Sequence, residues 1–364
     1  MLRILETEHE VGVGCLPFNV KDVYNFLSSQ KSFKRENDAA NLVLKCKHLK
    51  SLDLEFQYEY QVDDENRLEY ITWCHSTSIR GYQLYGDVVV FDTTYKLNAY
   101  DMPIGVWVGV NNHGCSVFFG CCLLRDEQQT SFEWAFKVFL KFMGGKVPKT
   151  IITDDDPQIG GAIENICPAT KHALCMWHIA KKIPEVLSSV LKSQFKEWNK
   201  AFQKLSKLET EEDFDKGWQA MLEEYDLVAN GHLRRLYLNR SKWPKPYLRS
   251  YFFAGMRTIG KSESMNTFIK HTISSQTHLT DFIDQIGKAV GVLVQKGEQK
   301  DMQQKATTLT ILTQQPIEIH ASKVLTLYAF RKYQNEIVES SSYECYQSDH
   351  GFWIVRHAEH VDKW

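Results

Sequence analysis

The sequence has no apolar run of about eighteen residues, no Cys-x-x-Cys pair and almost no net charge. The first absence argues against a membrane-spanning helix, and Met1–Glu6 is not followed by the apolar stretch of a signal peptide. The nine cysteines are odd in number and scattered, which is typical of reduced, mostly buried thiols. We therefore expect an intracellular protein without a membrane span.

The composition is that of a globular protein with more than one packed unit. Of the 364 residues, 43% are hydrophobic and 24% are charged, which is an ordinary balance for a soluble fold. This length suits two or three packed units better than one small core. The formal net charge is only −2, so a surface for nucleic acid has to come from local clustering of basic side chains.

Two stretches that have the pattern of buried strands each end on a carboxylate. Apolar residues 88–91 lead into Asp92, and residues 150–153 lead into Asp154. A desolvated carboxylate is costly unless it is paired, hydrogen-bonded or bound to metal. If the two strands are neighbours, the two carboxylates come together, which is the usual way to hold Mg²⁺. Four further acids near the same edge rank lower as ligands: Asp126, Glu127, Asp155 and Asp156.

The spacing of apolar residues predicts the order of the elements. The first half has a helix over 38–49, a hairpin over 55–73, a helix over 75–85, the Asp92 strand, a hairpin over 104–124, a helix over 132–142, the Asp154 strand, a helix over 158–165 and a strand over 172–177. This order indicates a mixed sheet with helices packed on it. Residues 179–251 are almost entirely helical in pattern. Later segments comprise helices over 262–272, 279–304 and 317–336 and a short hairpin over 343–357.

The segment 231–261 concentrates basic charge. It contains eight Lys or Arg residues, no Asp or Glu, and four interleaved Tyr or Trp residues. Basic groups neutralise phosphates and aromatic rings stack on bases, so the segment is a candidate nucleic-acid surface. An ordinary solvated face above a buried aromatic face explains the pattern equally well. The DNA-binding candidates are Arg234, Arg235, Arg240, Lys242, Lys245 and Arg249.

Cys175 and His178 form a Cys-x-x-His element at the end of the predicted strand over 172–177. One interpretation is a metal pair or a DNA-contacting element. A structural zinc site needs four ligands, however, and even with His172 the set is short. The favoured interpretation is a buried thiol and a histidine that pack at a strand-to-helix junction.

Six motifs in fixed order resemble those of a known family. They are Gly86–Tyr95, Gly120-Cys121 with Leu124–Glu127, Ile152–Asp154, Cys175–His178, Phe253–Met256 and Ser262–Asn266. From about residue 20 onward the chain resembles the transposase-derived core of the plant far-red-impaired-response and far-red-elongated-hypocotyl proteins. That family resembles Mutator-like transposases and is regarded as domesticated from them.

The resemblance implies an α/β fold whose RNase H-like mixed sheet is interrupted by an all-helical insertion. The implied divisions are an N-terminal α+β extension (1–85), the first part of the core (86–178), the insertion (179–255), the completion of the core (256–310) and a C-terminal helix and hairpin (311–364). The resemblance also implies an acidic triad of Asp92, Asp154 and Glu263, the catalytic and metal-binding residues of the ancestral transposase, with Mg²⁺ or Mn²⁺ as the metal. Ser262-Glu263 also fits a plain helix start.

The family's N-terminal zinc-binding domain and C-terminal SWIM zinc finger have no counterpart in this sequence. We therefore expect a fragment or a short family member, with zinc bound only in those flanking domains.

Three functions remain open at this stage. The favoured one is a domesticated transposase core of a nuclear transcription regulator of the light-signalling type, which binds DNA or protein partners, including family members in homo- or heterodimers, without cutting DNA. The second is an active metal-dependent transposase or nuclease that uses all three acids. The third is a protein-interaction or dimerisation scaffold without DNA contact.

Overall fold

One mixed sheet forms the centre of the computed structural model, which describes residues 37–94, 98–256, 277–347 and 351–358. Its strands are β1 (Gln57–Val62), β2 (Leu68–Cys74), β3 (Val88–Thr94), β4 (Ile104–Val110), β5 (Ser116–Leu123), β6 (Thr150–Thr153) and β7 (Lys171–Leu174). Their order across the sheet is β1-β2-β5-β4-β3-β6-β7. The pairs β3–β6 and β6–β7 are parallel and the other pairs are antiparallel. This is the predicted RNase H-like core, which the β1–β2 hairpin extends at one edge.

Twelve α-helices belong to the described residues. They are α1 (Asp38–Leu52), α2 (Ser76–Tyr85), α3 (Gln129–Phe142), α4 (Pro157–Ile166), α5 (Met176–Leu191), α6 (Phe195–Leu205), α7 (Glu211–Glu224), α8 (Gly231–Leu238), α9 (Lys245–Leu248), α10 (Leu279–Ala306), α11 (Pro316–Val324) and α12 (Leu327–Ser340). A separate hairpin, β8 (Tyr343–Gln347) with β9 (Trp353–His357), follows them. The predicted helix over 262–272 lies outside the described residues.

Each face of the sheet is covered by a different set of helices. Apolar side chains of α2, α3 and α4 pack against one face, where Phe91, Trp107 and Phe136 are almost fully buried. On the other face, α1 and α10 pack against β2, β4 and β5. Burial of the strands on both faces explains why they are nearly continuous apolar runs in the sequence.

Helices α5 to α9 form the all-helical insertion, with a core of its own. Trp198, Trp218 and Trp243 have no exposed surface, and Phe202 stacks on Trp243 with ring centroids 5.5 Å apart. Rings of this size each bury a large apolar area, so a small helical unit gains a stable core from few residues. The end of the insertion then returns to the sheet, where Leu248, Phe253 and Met256 cover β3 and β6.

Two predicted elements differ from the structure. The strand predicted over 172–177 ends at Leu174, and Trp177 lies in the first turn of α5. Apolar residues continue across this junction, so the hydrophobic pattern could not locate it. The helix predicted over 317–336 is two helices, because Leu325 and Thr326 have extended backbone and the Thr326 hydroxyl accepts a hydrogen bond from Ala329 N at the start of α12.

A buried carboxylate from α1 caps the N-terminus of α10. Asp38 is 1% exposed, and its Oδ2 accepts a hydrogen bond from Leu279 N (2.6 Å). Its Oδ1 accepts from Thr280 N (3.0 Å) and from the Thr280 hydroxyl (2.7 Å). Backbone N–H groups at a helix start have no partner within the helix, so Asp38 satisfies groups that burial would otherwise leave unpaired. The contact fixes α10 to α1 across 241 residues of sequence.

A second buried carboxylate, Glu318 of α11, makes the protein sensitive to strong acid. Burial raises its pKa, but hydrogen bonds from Gln334 Nε2, Leu312 N and Thr313 together outweigh that effect and bring the pKa to about 2. The ordinary value is 4.5, so the carboxylate contributes stability that is complete above about pH 4.5 and is lost as the pH falls through about 2.

We expect Glu318→Gln to destabilise the protein at neutral pH, because the new amide directs N–H groups at backbone N–H donors. The variant should also lose less stability than the wild type between pH 4.5 and pH 2. Urea unfolding followed by circular dichroism across this range measures both effects. Parallel stability curves for the two proteins in acid would contradict the assignment.

Candidate functional site

The ends of three parallel strands bring Asp92, Asp154 and Cys175 side by side. Val90 pairs with Ile152, and Ile152 pairs with Ala173, in the registers of β3, β6 and β7. Asp92, Asp154 and Cys175 each follow one of these paired residues by two positions, so the same register places them in one row. Because side chains alternate along a strand, they lie on the same face of the sheet as Val90, Ile152 and Ala173. The first two predicted acids therefore meet at one edge of the sheet.

Asp92 and Asp154 differ in their solvent exposure. Asp92 is 8% exposed, within the last residues of β3, and Asp154 is half-buried directly after β6. Burial raises the pKa of Asp154 from 3.8 to about 6, the nearby Lys182 ammonium opposes that shift, and Asp156, Glu127 and Asp155 add to it. Burial is thus the main cause of the raised pKa of Asp154, and the three neighbouring acids add to it against one Lys182 ammonium.

Glu127, which the sequence ranked below Asp92 and Asp154 as a metal ligand, also lies near this edge. Its Oε1 atom is buried and has no hydrogen-bond partner among the described residues, and its charge raises the pKa of Asp154. An unpaired buried carboxylate oxygen is costly. Glu127 lies in the loop between β5 and α3, near the edge where the sequence predicted it, and its unpaired oxygen is what the sequence did not reveal.

These residues fit a hard divalent cation as far as the structure describes them. Carboxylate oxygens are the ligands that Mg²⁺ and Mn²⁺ prefer, and three further acids lie near Asp154 at this edge. Within the described ranges, no three His, Cys, Asp or Glu side chains are close enough together to hold a metal ion. Glu263, the third predicted acid, lies outside the described residues.

The described residues on either side of Glu263 lie close to this part of the sheet. Met256 packs in the cluster of Val88, Val90 and Ile152, beside the strands that end on the two aspartates. Thr277 O accepts a hydrogen bond from Ala99 N (3.1 Å), in the segment that follows β3. The chain therefore leaves and re-enters the described structure near β3.

Cys175 and His178 lie at the junction of β7 and α5. Cys175 is the residue before the first turn of α5 and is 9% exposed, and Cys175 N donates to Thr153 O (2.7 Å). The His178 ring contacts Trp177, with centroids 4.7 Å apart. His172 hydrogen-bonds to Thr153 on the opposite face of the strand, and burial lowers its pKa to about 3. The positions of these residues favour a packing role.

Five of the six predicted DNA-binding residues have partners within the protein. Arg235 pairs with Asp155 (2.5 Å), Arg240 with Asp215 (3.0 Å), and Lys242 with Glu164 (3.4 Å). Lys245 pairs with Glu209, and Arg249 Nη1 donates to the Glu209 carbonyl oxygen (3.0 Å). Arg234 is exposed on α8. Exposed ion pairs contribute little free energy, so these contacts do not prevent the residues from binding phosphate, and the DNA-binding prediction stays a prediction.

The acidic partners of this stretch come from outside it. Asp155, Glu164, Glu209 and Asp215 belong to the β6–α4 region or to the start of α7, and the fold brings them to the basic residues. The interleaved aromatic residues are also partly committed, since Trp243 is fully buried and Arg240 lies 4.1 Å from the centroid of the Tyr237 ring. Arg235 and Lys242 therefore join the insertion to the core, and the contacts to Glu209 and Asp215 stay within the insertion.

No helix among the described residues combines the length and apolar character that crossing a membrane requires.

Two regions of the sequence match known domains. Residues 88–182, which span β3 to the first half of α5, match the MULE transposase domain. Residues 1–34 match the FAR1 HTH-like domain. The second match lies outside the described residues. The fold and the row of strand-end acids thus define a transposase-derived RNase H-like core.

Several curated proteins from Arabidopsis thaliana are similar to this chain over most or all of its length. Protein FAR1-RELATED SEQUENCE 11 is 42% identical over 362 residues, which is 100% of this chain and 53% of that protein. Putative protein FAR1-RELATED SEQUENCE 10 is 34% identical over 100% of this chain and 54% of its own length. Protein FAR-RED IMPAIRED RESPONSE 1 is 30% identical over 83% of this chain and 37% of its own.

The chain belongs to the FAR1-related family of transposase-derived proteins. It spans about half the length of the first two of these relatives. The family resemblance predicted from the six motifs is confirmed.

Proposed function

We propose that this chain is the core of a nuclear transcription regulator of the light-signalling type, which binds DNA and protein partners without cutting DNA. The main support for this proposal is the transposase-like core, in which Asp92 and Asp154 lie in register at the ends of β3 and β6. Similarity to Protein FAR-RED IMPAIRED RESPONSE 1 supports the link to light responses. The match of residues 1–34 to an HTH-like domain supports DNA binding.

The proposed metal site uses the residues that the fold brings together. Asp92 and Asp154 would hold Mg²⁺ or Mn²⁺ through carboxylate oxygens, and Glu263 would complete the set. A bound divalent cation supplies charge neutralisation at a phosphate and, in active transposases, a means to activate water or a 3′-hydroxyl. The residues of this chain hold the two strand-end carboxylates in fixed positions and place the Lys182 ammonium near Asp154.

We expect Mn²⁺ to raise the melting temperature of the wild-type chain, because a ligand that binds only the folded state stabilises it by about 2.7 kcal/mol at a concentration a hundred times its Kd. Asp92→Asn should lose most of this shift. Thermal unfolding with and without Mn²⁺ measures the effect, with Asp284→Asn as the matched control on α10. If the metal leaves the wild-type melting temperature unchanged, Asp92, Asp154 and Glu263 do not form a metal site.

We expect purified protein to leave terminal-repeat DNA intact in Mg²⁺ or Mn²⁺, even where it binds that DNA. Gel analysis of end-labelled duplex after prolonged incubation tests this. Cleavage that needs metal and disappears in Asp92→Asn would contradict the regulator proposal and establish the active enzyme.

An active transposase or nuclease is the second candidate, and one observation favours it. Asp154 has a pKa of about 6 and lies near Glu127, whose Oε1 lacks a hydrogen-bond partner in the described part of the chain. Strongly shifted carboxylates cluster at active sites because catalysis requires such environments. Both aspartates also lie at neighbouring strand ends, where the family resemblance implies two acids of the ancestral triad.

Protein partners form part of the same proposal. The β8–β9 hairpin exposes Trp353 (67%) and Val355 (63%). Exposed apolar side chains in one group are typical of surfaces that contact other proteins. This supports binding of other family members, as homo- or heterodimers, or of the remaining part of a longer chain.

A further inference from the structure

A basic groove lies between α10 and α12, at the end of the sheet opposite to Asp92 and Asp154. Its volume is about 710 Å³, and its floor is the turn that joins β4 to β5. Lys296 and Lys300 of α10 form one wall, and Arg331 and Lys332 of α12 form the other. This turn lies at the start of β3, because Val108 pairs with Val90 and β4 then runs on past Val110.

The walls of the groove are fixed to each other and to its floor. The Thr326 hydroxyl donates to Asn112 O in the turn, and Leu327 N donates to Gln304 Oε1 of α10 (3.2 Å). Gly114 has a φ of +71°, and a Cβ atom there would lie 2.6 Å from the Tyr328 ring. Glycine therefore permits both the backbone conformation and the close approach of α12. The groove is a built feature of the fold rather than a gap between mobile parts.

Unlike most basic residues of the 231–249 stretch, the four basic residues of the groove have no acidic partner among the described residues. All four are exposed, and in the part of the chain that the structure describes none of them is in an ion pair. Glu298 and Asp301 of α10 line the adjacent cavity, which shares His113 and Ser116 with the groove, and Asp301 pairs with His113 at this boundary (2.8 Å). The groove lining itself contains no Asp or Glu.

We propose that this groove binds the phosphate backbone of nucleic acid. Four cations on two facing walls, with the donors Gln303 and Asn335 between them, suit a polyanion. An acidic protein segment is less well suited, since protein interfaces depend on large apolar anchors and this lining has only Leu327 and Tyr328 of that kind. Interfaces with nucleic acid are more polar and more positive.

The inference rests on the proposed DNA binding and assigns it a site far from the aspartates. It also separates two roles by location. Contacts to the phosphate backbone fix the position of a protein on DNA without reading sequence. The groove would therefore increase affinity for any duplex, and sequence recognition would depend on other parts of the protein.

The test is a double variant with one change on each wall, Lys300→Gln with Arg331→Gln. Its affinity for a fluorescein-labelled duplex is measured by anisotropy between 50 and 200 mM salt. We expect affinity to fall by about tenfold or more, and the slope of log K against log salt to decrease by about 2, since each lost phosphate contact removes about 0.9. The matched control, Lys196→Gln with Lys204→Gln on α6, removes the same charge elsewhere and should change both quantities little.

Each other outcome has a definite meaning. If the wild type does not bind the duplex at 50 mM salt, the proposed DNA binding fails for this chain and the groove proposal fails with it. If the wild type binds and the groove variant matches the α6 control, DNA binding stands and the groove inference is wrong. If the groove variant still binds the duplex like the wild type but no longer binds a labelled poly-glutamate peptide in the same assay, the groove serves an acidic protein partner instead. Melting temperature and circular dichroism verify that each variant is folded.

Discussion

Replacing Asp38 by alanine should lower the free energy of unfolding by about 2–4 kcal/mol. The change leaves the backbone N–H groups of Leu279 and Thr280 without an acceptor at a buried helix start. Each unsatisfied buried donor costs about 1–3 kcal/mol, and the lost cap removes the contact that holds α10 to α1. Urea unfolding at pH 7.5 measures the loss.

Asp284→Ala is the matched control for this experiment. It removes the same charge, from α10 instead of α1, and breaks another contact between the same two helices, since Asp284 pairs with Lys45 of α1 (3.0 Å). This pair is exposed, so the expected loss is below about 1 kcal/mol. Asp38→Asn keeps a capping oxygen and should lie between the two. Equal losses for Asp38→Ala and Asp284→Ala would show that the buried cap does not stabilise the fold.

The second large effect has the opposite sign, because Asp154→Asn should stabilise the protein without metal. The folded protein raises the pKa of Asp154 from 3.8 to about 6, so ionising this group costs folding free energy above pH 6. Below about pH 4 the group is protonated in both states and the cost vanishes. A shift of about two pKa units corresponds to about 3 kcal/mol at most, and we expect a gain of about 1–3 kcal/mol at pH 7.5.

Unfolding free energies of wild type and Asp154→Asn at a series of pH values measure this gain. The difference should be near zero at pH 4 and complete above pH 6. The control is Asp87→Asn at the other end of the same strand pair, where Asp87 is partly exposed and lies 3.4 Å from Lys149. This control should be neutral or slightly destabilising. A destabilised Asp154→Asn variant at pH 7.5 would mean that the carboxylate serves the fold rather than a ligand.

Asp154 thus differs in kind from Asp38 and Glu318. Asp38 and Glu318 are buried acids whose oxygens are filled with hydrogen bonds from backbone N–H groups, so they hold parts of the fold together. Asp154 is held at a cost in stability, among other acids. Proteins commonly keep a costly group of this kind because a ligand or a reaction requires it.

The basic stretch illustrates how far local sequence reasoning extends. The sequence shows aromatic residues such as Trp243 interleaved with cations such as Arg235. It does not show where the acids that pair with these cations lie. Asp155 is 80 residues away in sequence from Arg235. The α10–α12 groove was not predicted at all, because Lys296 and Lys300 stand beside Glu298 and Asp301 in the sequence and the second basic wall comes from α12.

The chain by itself determined its strands, most of its helices and its family, because apolar periodicity and ordered motifs are local properties that survive without knowledge of neighbours. It also determined that Asp92 and Asp154 end two strands. Only the tertiary structure decided that these strands are parallel neighbours in register, that Asp38 caps a helix 241 residues away, and that charges pair or stay apart. Pairing of strands and charges depends on distances between segments remote in sequence, and those distances exist only after the core of the sheet has assembled.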